Sequence, residues 1–339
     1  MSKQLNEIPV SVLDLAPILE GETPSHSFTK SLEVARNVER IGYNRYWFAE
    51  HHNMENIASS ATAVLIGYIA GGTSTIRVGS GGIMLPNHSP LIIAEQFGTL
   101  ESLYPGRIDL GLGRAPGTDQ LTSMALRRNL NGSVDAFPND VIELREYLAP
   151  KNPASRVRAI PGEGTQVPIW LLGSSTYNAQ LAAALGLPFA FASHFAPAYL
   201  HEALKLYRQR FTPSEQLRQP YAMACVNVIA ADTDEEAQRL ATSFYMLAMG
   251  IVTGNRKPLQ PPVNSMDGIW TDYEKTAVQQ MMEFTFIGSA KTVHQALQSF
   301  ADDTGIDEIM VASYIYDNAA KIKSYELIAP FFKASHLKR

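Results

Sequence analysis

Short apolar runs alternate with helical patterns from one end of the chain to the other. Each run is a few residues long, is rich in aliphatic or aromatic residues, and is bounded by polar or glycine-containing segments, as expected of buried strands. Eight runs meet this description, at residues 8–14, 45–50, 76–79, 108–111, 168–172, 189–192, 222–230 and 308–313. The helix after the third run has clear ends, with Ser89 and Pro90 before it and Tyr104-Pro105-Gly106 after it.

Strands that alternate with helices in this way predict an α/β fold with a parallel sheet. No Pro- or Ser-rich linker interrupts the rhythm, so we predict a single domain over residues 1–339. Eight βα units fit a closed (β/α)8 TIM barrel, whose usual size of about 250 residues leaves roughly 90 residues for insertions. Two gaps are long enough to hold them, at about 126–166 after the fourth strand and at about 250–286 after the seventh.

Each insertion is either a lid over an active site or a surface or dimer element. In the second insertion, prolines and glycines disfavour one continuous helix, while Ile251, Met266 and Trp270 are apolar groups that need a surface to cover. We therefore predict that residues 250–286 form a mobile lid.

Composition and charge narrow the classes of function. The chain is 45% hydrophobic and 18% charged, so a packed core is expected. Its net charge of −5 argues against a nucleic-acid or anionic-membrane partner. The single cysteine, Cys225, excludes an intramolecular disulfide and a thiolate metal site, and residues 1–15 lack the features of a signal peptide. An uncharged stretch at 164–201 predicts two strands around a helix rather than a membrane span. We expect a cytoplasmic protein.

Polar residues cluster directly after the predicted strands, where the loops of a barrel converge. The residues that follow the second to sixth strands are Glu50, His51 and His52; Ser80 and Gly81; Arg114; Gly173, Ser174, Ser175 and Thr176; and His194. The Gly173–Thr176 turn opens a helix, so it offers backbone N–H groups and hydroxyls to an anion, and Arg114 could add the matching charge. Taken alone this signal is weak, because serines and threonines cap most helices for purely structural reasons.

The histidines after the second and third strands also invite a metal interpretation. Glu50, His51, His52, His88 and His194 could in principle surround one ion. Adjacent residues of an extended chain point to opposite sides, however, so His51 and His52 cannot both face the same ion. We predict no metal and favour neutral imidazoles that act in hydrogen bonding or acid–base chemistry.

Several motifs in the same order resemble those of the bacterial luciferase-like flavin monooxygenases. They are AEHH after the second strand, RVGSGGIMLPNHSP after the third, YPGRIDLGLGRAPGTD around the fourth, WLLGSST at the fifth and FASHFAP after the sixth. The resemblance is dense from Pro9 to Ala198 and thin beyond it. It implies a barrel that binds FMN at the carboxyl ends of its strands, usually as a homodimer.

The resemblance also implies roles for individual residues. Ala49 and Glu50 match positions at the isoalloxazine edge, and His51 matches a histidine used in acid–base work. Ser80 and Gly81 match a pair, often joined by a strained peptide bond, that backs the flavin ring. Contacts with the flavin phosphate are implied for the residues of the fourth and fifth strand ends, namely Arg114, Gly173, Ser174, Ser175 and Thr176. Gly113 stands where bioluminescent members carry a reactive cysteine, so light emission is not expected.

The implied activity is that of an FMN-dependent monooxygenase. Reduced FMN, supplied by a separate flavin reductase, would react with molecular oxygen through a peroxyflavin and oxidise a small organic substrate in a site shielded from water. Three alternatives stay open from the sequence: a deazaflavin-dependent dehydrogenase of the same fold, a non-catalytic flavin-binding protein and a metal hydrolase. The sequence does not identify the substrate.

Overall fold

A closed barrel of parallel strands forms the centre of the molecule. The computed structural model describes residues 3–126 and 135–335. Eight strands pair in parallel in the cyclic order β1-β2-β3-β4-β5-β6-β7-β9, and β9 pairs again with β1. These strands are β1 (Val10–Asp14), β2 (Arg45–Phe48), β3 (Arg77–Met84), β4 (Ile108–Gly113), β5 (Ile169–Gly173), β6 (Phe189–Phe191), β7 (Ala222–Ala231) and β9 (Glu308–Ala312). All eight predicted strands are therefore confirmed, as is the (β/α)8 barrel.

A ninth strand, β8 (Thr285–Ser289), was not predicted. It lies outside the barrel and pairs with the carboxyl-terminal half of β7, whereas the amino-terminal half of β7 pairs with β9. Four of its five residues are only half-buried, so its sequence lacks the continuous apolar run that marks the barrel strands.

Helices cover the outside of the barrel between the strands. They are α1 (Pro24–Arg40), α2 (Thr62–Gly72), α3 (Pro90–Leu103), α4 (Gln120–Leu126), α5 (Phe137–Leu148), α6 (Thr176–Leu185), α7 (Leu200–Arg210), α8 (Asp234–Thr253), α9 (Asp272–Met281), α10 (Ala290–Thr304) and α11 (Asn318–Ile328). The ends predicted for α3 are confirmed, with Ser89 as its N-cap and Pro90 in its first turn. No helix within the described residues is both long and apolar enough to cross a membrane.

The two predicted insertions contain regular structure. The first carries α5, and its Asn129–Gly132 segment lies outside the described residues. The second begins within the last turn of α8 and ends within β8, so the connecting segment proper runs over 254–284 and includes α9. The buried residues of α8, α9 and the end of β7 form a separate apolar cluster beside the barrel.

Charges close the amino-terminal end of the barrel. Arg45 donates to Asp109 at 2.5 Å and to Glu308 at 3.1 Å, and Asp109 also accepts from Arg77 at 2.6 Å. Both carboxylates are fully buried. Above this network Trp47 packs edge to face on Trp170, with 5.2 Å between the ring centroids. These buried side chains fill the amino-terminal end of the barrel.

Candidate active site

A cavity of about 460 Å³ opens at the carboxyl ends of the barrel strands. Its size is within the range of small-molecule and cofactor sites. Ten residues were predicted from the sequence to form the site, and seven of them line the cavity. These seven are Ala49, His51, Gly81, Arg114, Gly173, Ser174 and Ser175. The other three, Glu50, Ser80 and Thr176, adjoin these residues in sequence but do not line the cavity.

His51 lies in the cavity wall with its tautomer set by a backbone carbonyl. Its Nδ1 is 3.3 Å from the carbonyl oxygen of Gly117, which can only accept, so Nδ1 donates and Nε2 is the unprotonated nitrogen of the neutral ring. Burial lowers the pKa of His51 below its usual value of 6.5, and the nearby Arg256 lowers it further. At neutral pH the ring thus offers an acceptor, as a general base requires.

Glu50 faces away from the cavity and is only 1% exposed. Its carboxylate accepts from Nε2 of His52 at 2.8 Å, from Nε2 of His88 at 2.9 Å and from the backbone N–H of Met84 at 3.0 Å. Although burial raises the pKa of Glu50, these hydrogen bonds outweigh it and lower the pKa to about 2. The side chain therefore holds the loops after β2 and β3 together. Contact of Glu50 with an isoalloxazine edge stays a prediction.

Ser80 is likewise buried, and its hydroxyl both donates to the carbonyl of Gly111 and accepts from the N–H of Gly111, each at 2.9 Å. A cis peptide bond joins Gly81 and Gly82. It lies one residue beyond the Ser80–Gly81 pair for which the resemblance implied a strained bond. A Cβ at Gly82 would come within 2.7 Å of the carbonyl oxygen of Gly111, so only glycine fits there. Gly81 and Gly82 together give the cavity a floor without side chains.

Arg114 and the turn after β5 meet on one side of the cavity. Ser175 is the N-cap of α6, and Thr176 is its first residue. The guanidinium of Arg114 stacks over the ring of Tyr177, 4.0 Å from its centroid. This contact holds the cation beside the N-terminus of α6, where unpaired N–H groups and the hydroxyls of Ser174 and Ser175 provide further donors. The structure thus brings together the residues that the sequence predicts to bind an anion.

Several cavity residues had not been nominated as site residues. His194, noted after the sixth strand, lines the cavity and is 8% exposed, and its Nδ1 has no hydrogen-bond partner in the part of the chain that the structure describes. Burial lowers the pKa of His194 to about 3, so this ring is neutral as well. Asn56, Arg256 and Tyr314 also line the cavity. Asn56 and Arg256 come from irregular segments that carry no strand-end signal, so the βα rhythm could not find them.

The histidines do not assemble around one ion. His51 faces the cavity, whereas His52 turns to Glu50, as the alternation of extended residues predicts. Within residues 3–126 and 135–335, no group of three or more His, Cys, Asp and Glu side chains is placed to hold a metal ion.

The segment after α8 packs against the loop after β1 and against α8, beside the cavity. Leu259 is 1% exposed, and its N–H donates to the carbonyl of Ile18 at 2.9 Å while its carbonyl accepts from Glu20 at 2.9 Å. Val263 is held by the hydroxyl of Thr242 at 2.8 Å. Ile251 and Arg256 reach the cavity itself. The segment is therefore placed where a lid would be, and its mobility stays a prediction.

Comparison with known proteins assigns the family. The model of the luciferase-like monooxygenase family matches residues 9–308, so the chain belongs to this family. It is 57% identical over 333 residues to an uncharacterized Bacillus subtilis (strain 168) protein, YvbT, with 98% of this chain and 99% of that protein covered. It is 55% identical over 320 residues to the luciferase-like monooxygenase of Escherichia coli (strain K12), covering 94% and 96% of the two chains.

Two further likenesses concern chemistry and fold. A Bacillus subtilis N-acetyl-S-alkylcysteine monooxygenase is 32% identical over 328 residues, with 95% of this chain and 97% of that protein covered. The crystal structure of apo-MsnO8 superposes with a TM-score of 0.87 at 36% identity, covering 97% of this chain and 99% of that one. Among more distant barrels that share the fold alone, one is in complex with FMN and another with an adduct of the deazaflavin cofactor F420.

Proposed function

We propose that this chain is an FMN-dependent monooxygenase that uses reduced flavin and molecular oxygen to oxidise a small organic substrate. The observation that carries the proposal is the junction of three features in one cavity. These are the glycine floor of Gly81 and Gly82, the anion site of Arg114 and α6, and His51 as a neutral acceptor. A flat ring system with a phosphate tail, in need of a placed base, fits this combination.

The phosphate end of FMN would be held by Arg114, Ser174 and Ser175. A charged donor and a helix N-terminus both favour a phosphate, and the stacking on Tyr177 keeps the guanidinium in position before the ligand arrives. The ring would lie against the backbone of Gly81 and Gly82, where neighbouring protein atoms leave no room for side chains. Gly113 also lines the cavity, and a Cβ there would lie 2.6 Å from the sulfur of Met84, so this wall is shaped without a thiol.

When bound, reduced FMN supplies the two electrons with which one oxygen atom enters the substrate and the other leaves as water. The side chains of this protein would provide the remaining requirements. Nε2 of His51 accepts a proton at the reacting centre, Gly117 holds the ring of His51 in place, and the apolar residues of α8 and the segment after it exclude water.

A deazaflavin-dependent dehydrogenase is the principal alternative within this fold, because one of the distant structural neighbours is an F420-dependent secondary alcohol dehydrogenase. At 14% identity that neighbour reports on fold alone, whereas the 32% identical relative is named as a monooxygenase. We therefore favour oxygen as the reaction partner. A protein that merely holds flavin, without turnover, is separated from both by measuring product.

Affinity for a matched pair of flavins tests the phosphate site. Replacing Arg114 with Ala should weaken binding of FMN by about 10- to 100-fold and change binding of riboflavin by less than about threefold, since a charge-assisted contact contributes about 1.5–3 kcal/mol. Flavin fluorescence quenching measures both constants, with F420 as a third ligand. Equal losses for FMN and riboflavin, or tighter binding of F420 than of FMN, would contradict the assignment.

The proposal includes a flavin reductase as the source of reduced FMN, a cytoplasmic location, and a homodimer. Neighbouring helices α2 and α3 support the dimer, because Val64, Tyr68, Ile92 and Leu103 project apolar side chains that are 71%, 44%, 46% and 62% exposed. Exposed apolar patches of this kind usually mark an interface. A second copy of the chain fits the requirement of a self-complementary patch.

A further inference from the structure

The cavity at the barrel mouth carries positive charge without a compensating acid. Two guanidinium groups, those of Arg114 and Arg256, line it and supply this charge, whereas the imidazoles of His51 and His194 that also line it are neutral. No Asp or Glu lines it within the part of the chain that the structure describes. The chain as a whole is different, since its net charge is −5. A cleft lined by one sign of charge attracts the opposite sign, so this cavity favours anions.

The two guanidinium groups belong to different walls. Arg114 is stacked on Tyr177 beside α6, where the proposed function uses it for the flavin phosphate. Arg256 belongs to the segment after α8, and its Nη1 lies 3.4 Å from the sulfur of Met54. A thioether is a weak acceptor, and no carboxylate among the described residues forms an ion pair with Arg256. The guanidinium of Arg256 is thus exposed at the mouth, and its N–H groups have no strong acceptor among the described residues.

An unpartnered acceptor lies on the same side of the mouth. Asn56 lines the cavity, is 4% exposed, and its side-chain oxygen has no hydrogen-bond partner among the described residues. The backbone of Asn56 accepts from Ile18, and Ile18 accepts from Leu259 in the segment that carries Arg256. A buried carbonyl oxygen without a partner costs free energy unless a donor from a ligand reaches it.

The wall between these groups is apolar. Phe244, Leu247 and Ile251 lie on one face of α8 at helical spacing, and Met281 of α9 lines the cavity beside them. Arg256 and His51 line the same cavity, which places the cation near the proposed reacting centre. The same region therefore offers a cation, an unused acceptor and a hydrophobic surface.

We propose that the organic substrate is a carboxylic acid, bound with its carboxylate on Arg256, a hydrogen-bond donor on the side-chain oxygen of Asn56, and its hydrocarbon part against α8 and α9. This substrate class rests on the proposed function, because it assumes that Arg114 and the turn after β5 are reserved for the flavin phosphate. A guanidinium pairs with a carboxylate through two parallel hydrogen bonds, which makes the acid preferable to a neutral analogue.

A matched pair of probes tests the proposal without any turnover. N-acetylnorleucine has a carboxylate, an N–H donor and a butyl chain, and its primary amide differs only in lacking the charge. Binding of both to the full chain would be measured by titration calorimetry and by saturation-transfer NMR, with and without saturating FMN. The parent protein should bind the acid at least about 10-fold more tightly than the amide. Arg256→Gln should abolish that preference.

Two further variants make the result specific. Lys257→Gln removes the neighbouring exposed charge, which does not line the cavity, and should keep the preference. Arg114→Gln should keep it as well. Equal affinity for acid and amide in the parent, no binding of either at millimolar concentration, or a preference lost in Arg114→Gln instead of Arg256→Gln would overturn the proposal. These comparisons are made with FMN bound, because the flavin-free cavity also exposes the anion site of Arg114 and α6. Failure of FMN to bind would overturn the proposed function, and the flavin-free Arg256→Gln and Arg114→Gln variants would then show which guanidinium binds the acid.

Discussion

Glu50, His51 and His52 are consecutive but have different roles, because successive side chains of the extended chain after β2 point to opposite sides. His51 turns into the cavity, while Glu50 and His52 pair with each other outside it at 2.8 Å. The sequence located this cluster correctly at a strand end. It could not show which side chain would face the ligand, because that depends on how the chain leaves β2, where Asn53 adopts a positive φ of 54°.

The protonation state of His51 can be measured directly. We predict that in the folded protein His51 is neutral at pH 7 with its proton on Nδ1, because the Gly117 carbonyl accepts from that atom, and that it titrates below pH 6.5. Nitrogen-15 NMR of labelled histidines, assigned with His51→Gln, reports both properties. Folded His51 binds a proton less readily than the unfolded chain, so its contribution to stability should diminish as the pH falls below 6.5. A proton found on Nε2 at pH 7 would contradict the prediction.

At the scale of elements, Glu50 connects the ends of two strands that the cavity depends on. Its carboxylate binds His52 in the loop after β2, and both Met84 and His88 at the end of β3. β3 also carries Gly81 and Gly82, which form the floor of the cavity. Loss of the Glu50 carboxylate should therefore disturb this floor as well as the loop after β2.

Glu50→Gln should lower the free energy of unfolding at pH 7 by about 1–3 kcal/mol, because a buried ionised acceptor is lost. The folded pKa of about 2 lies below the value of 4.5 expected for an exposed glutamate, so the ionised group stabilises the fold above pH 4.5. That stabilisation disappears as the pH falls toward 2, and the gap between parent and variant should narrow accordingly. Urea unfolding across this pH range is the measurement. Glu55→Gln, an exposed neighbour, serves as the control; if its loss matched that of Glu50→Gln, the connecting role would be wrong.

The segment after α8 is the second element on which function depends. Replacing 254–268 with a short linker should raise the yield of hydrogen peroxide when bound reduced FMN meets oxygen, because water and protons would reach the cavity. Peroxide is measured with a coupled peroxidase assay. The variant must first show parent-like circular dichroism, since Leu259 and Met266 are buried in the parent. An unchanged peroxide yield in a folded variant would make the segment a surface element instead of a lid.

At the scale of the whole molecule, the barrel was predictable because its strands are buried on both sides. All residues of β1, β4, β7 and β9 are buried, and such strands appear in sequence as continuous apolar runs between helices. β8 was not predicted, because it pairs with β7 outside the barrel and its residues are mostly half-buried. Arg256 and Asn56 escaped for a different reason: they reach the cavity through tertiary packing of irregular segments, for which no local pattern exists.

The proposed homodimer can be tested by substitutions on the outer face of α2 and α3. A dimer formed by this face buries the same side chains from both copies, so one charge placed there is buried twice. The parent should have twice the mass of 37.2 kDa by size-exclusion chromatography with light scattering, and Val64→Arg should be monomeric. Leu121→Arg introduces the same charge at a side chain 80% exposed on α4, and should stay dimeric. A monomeric parent would remove the homodimer from the proposal; a dimer insensitive to Val64→Arg but broken by Leu121→Arg would move the interface to α4.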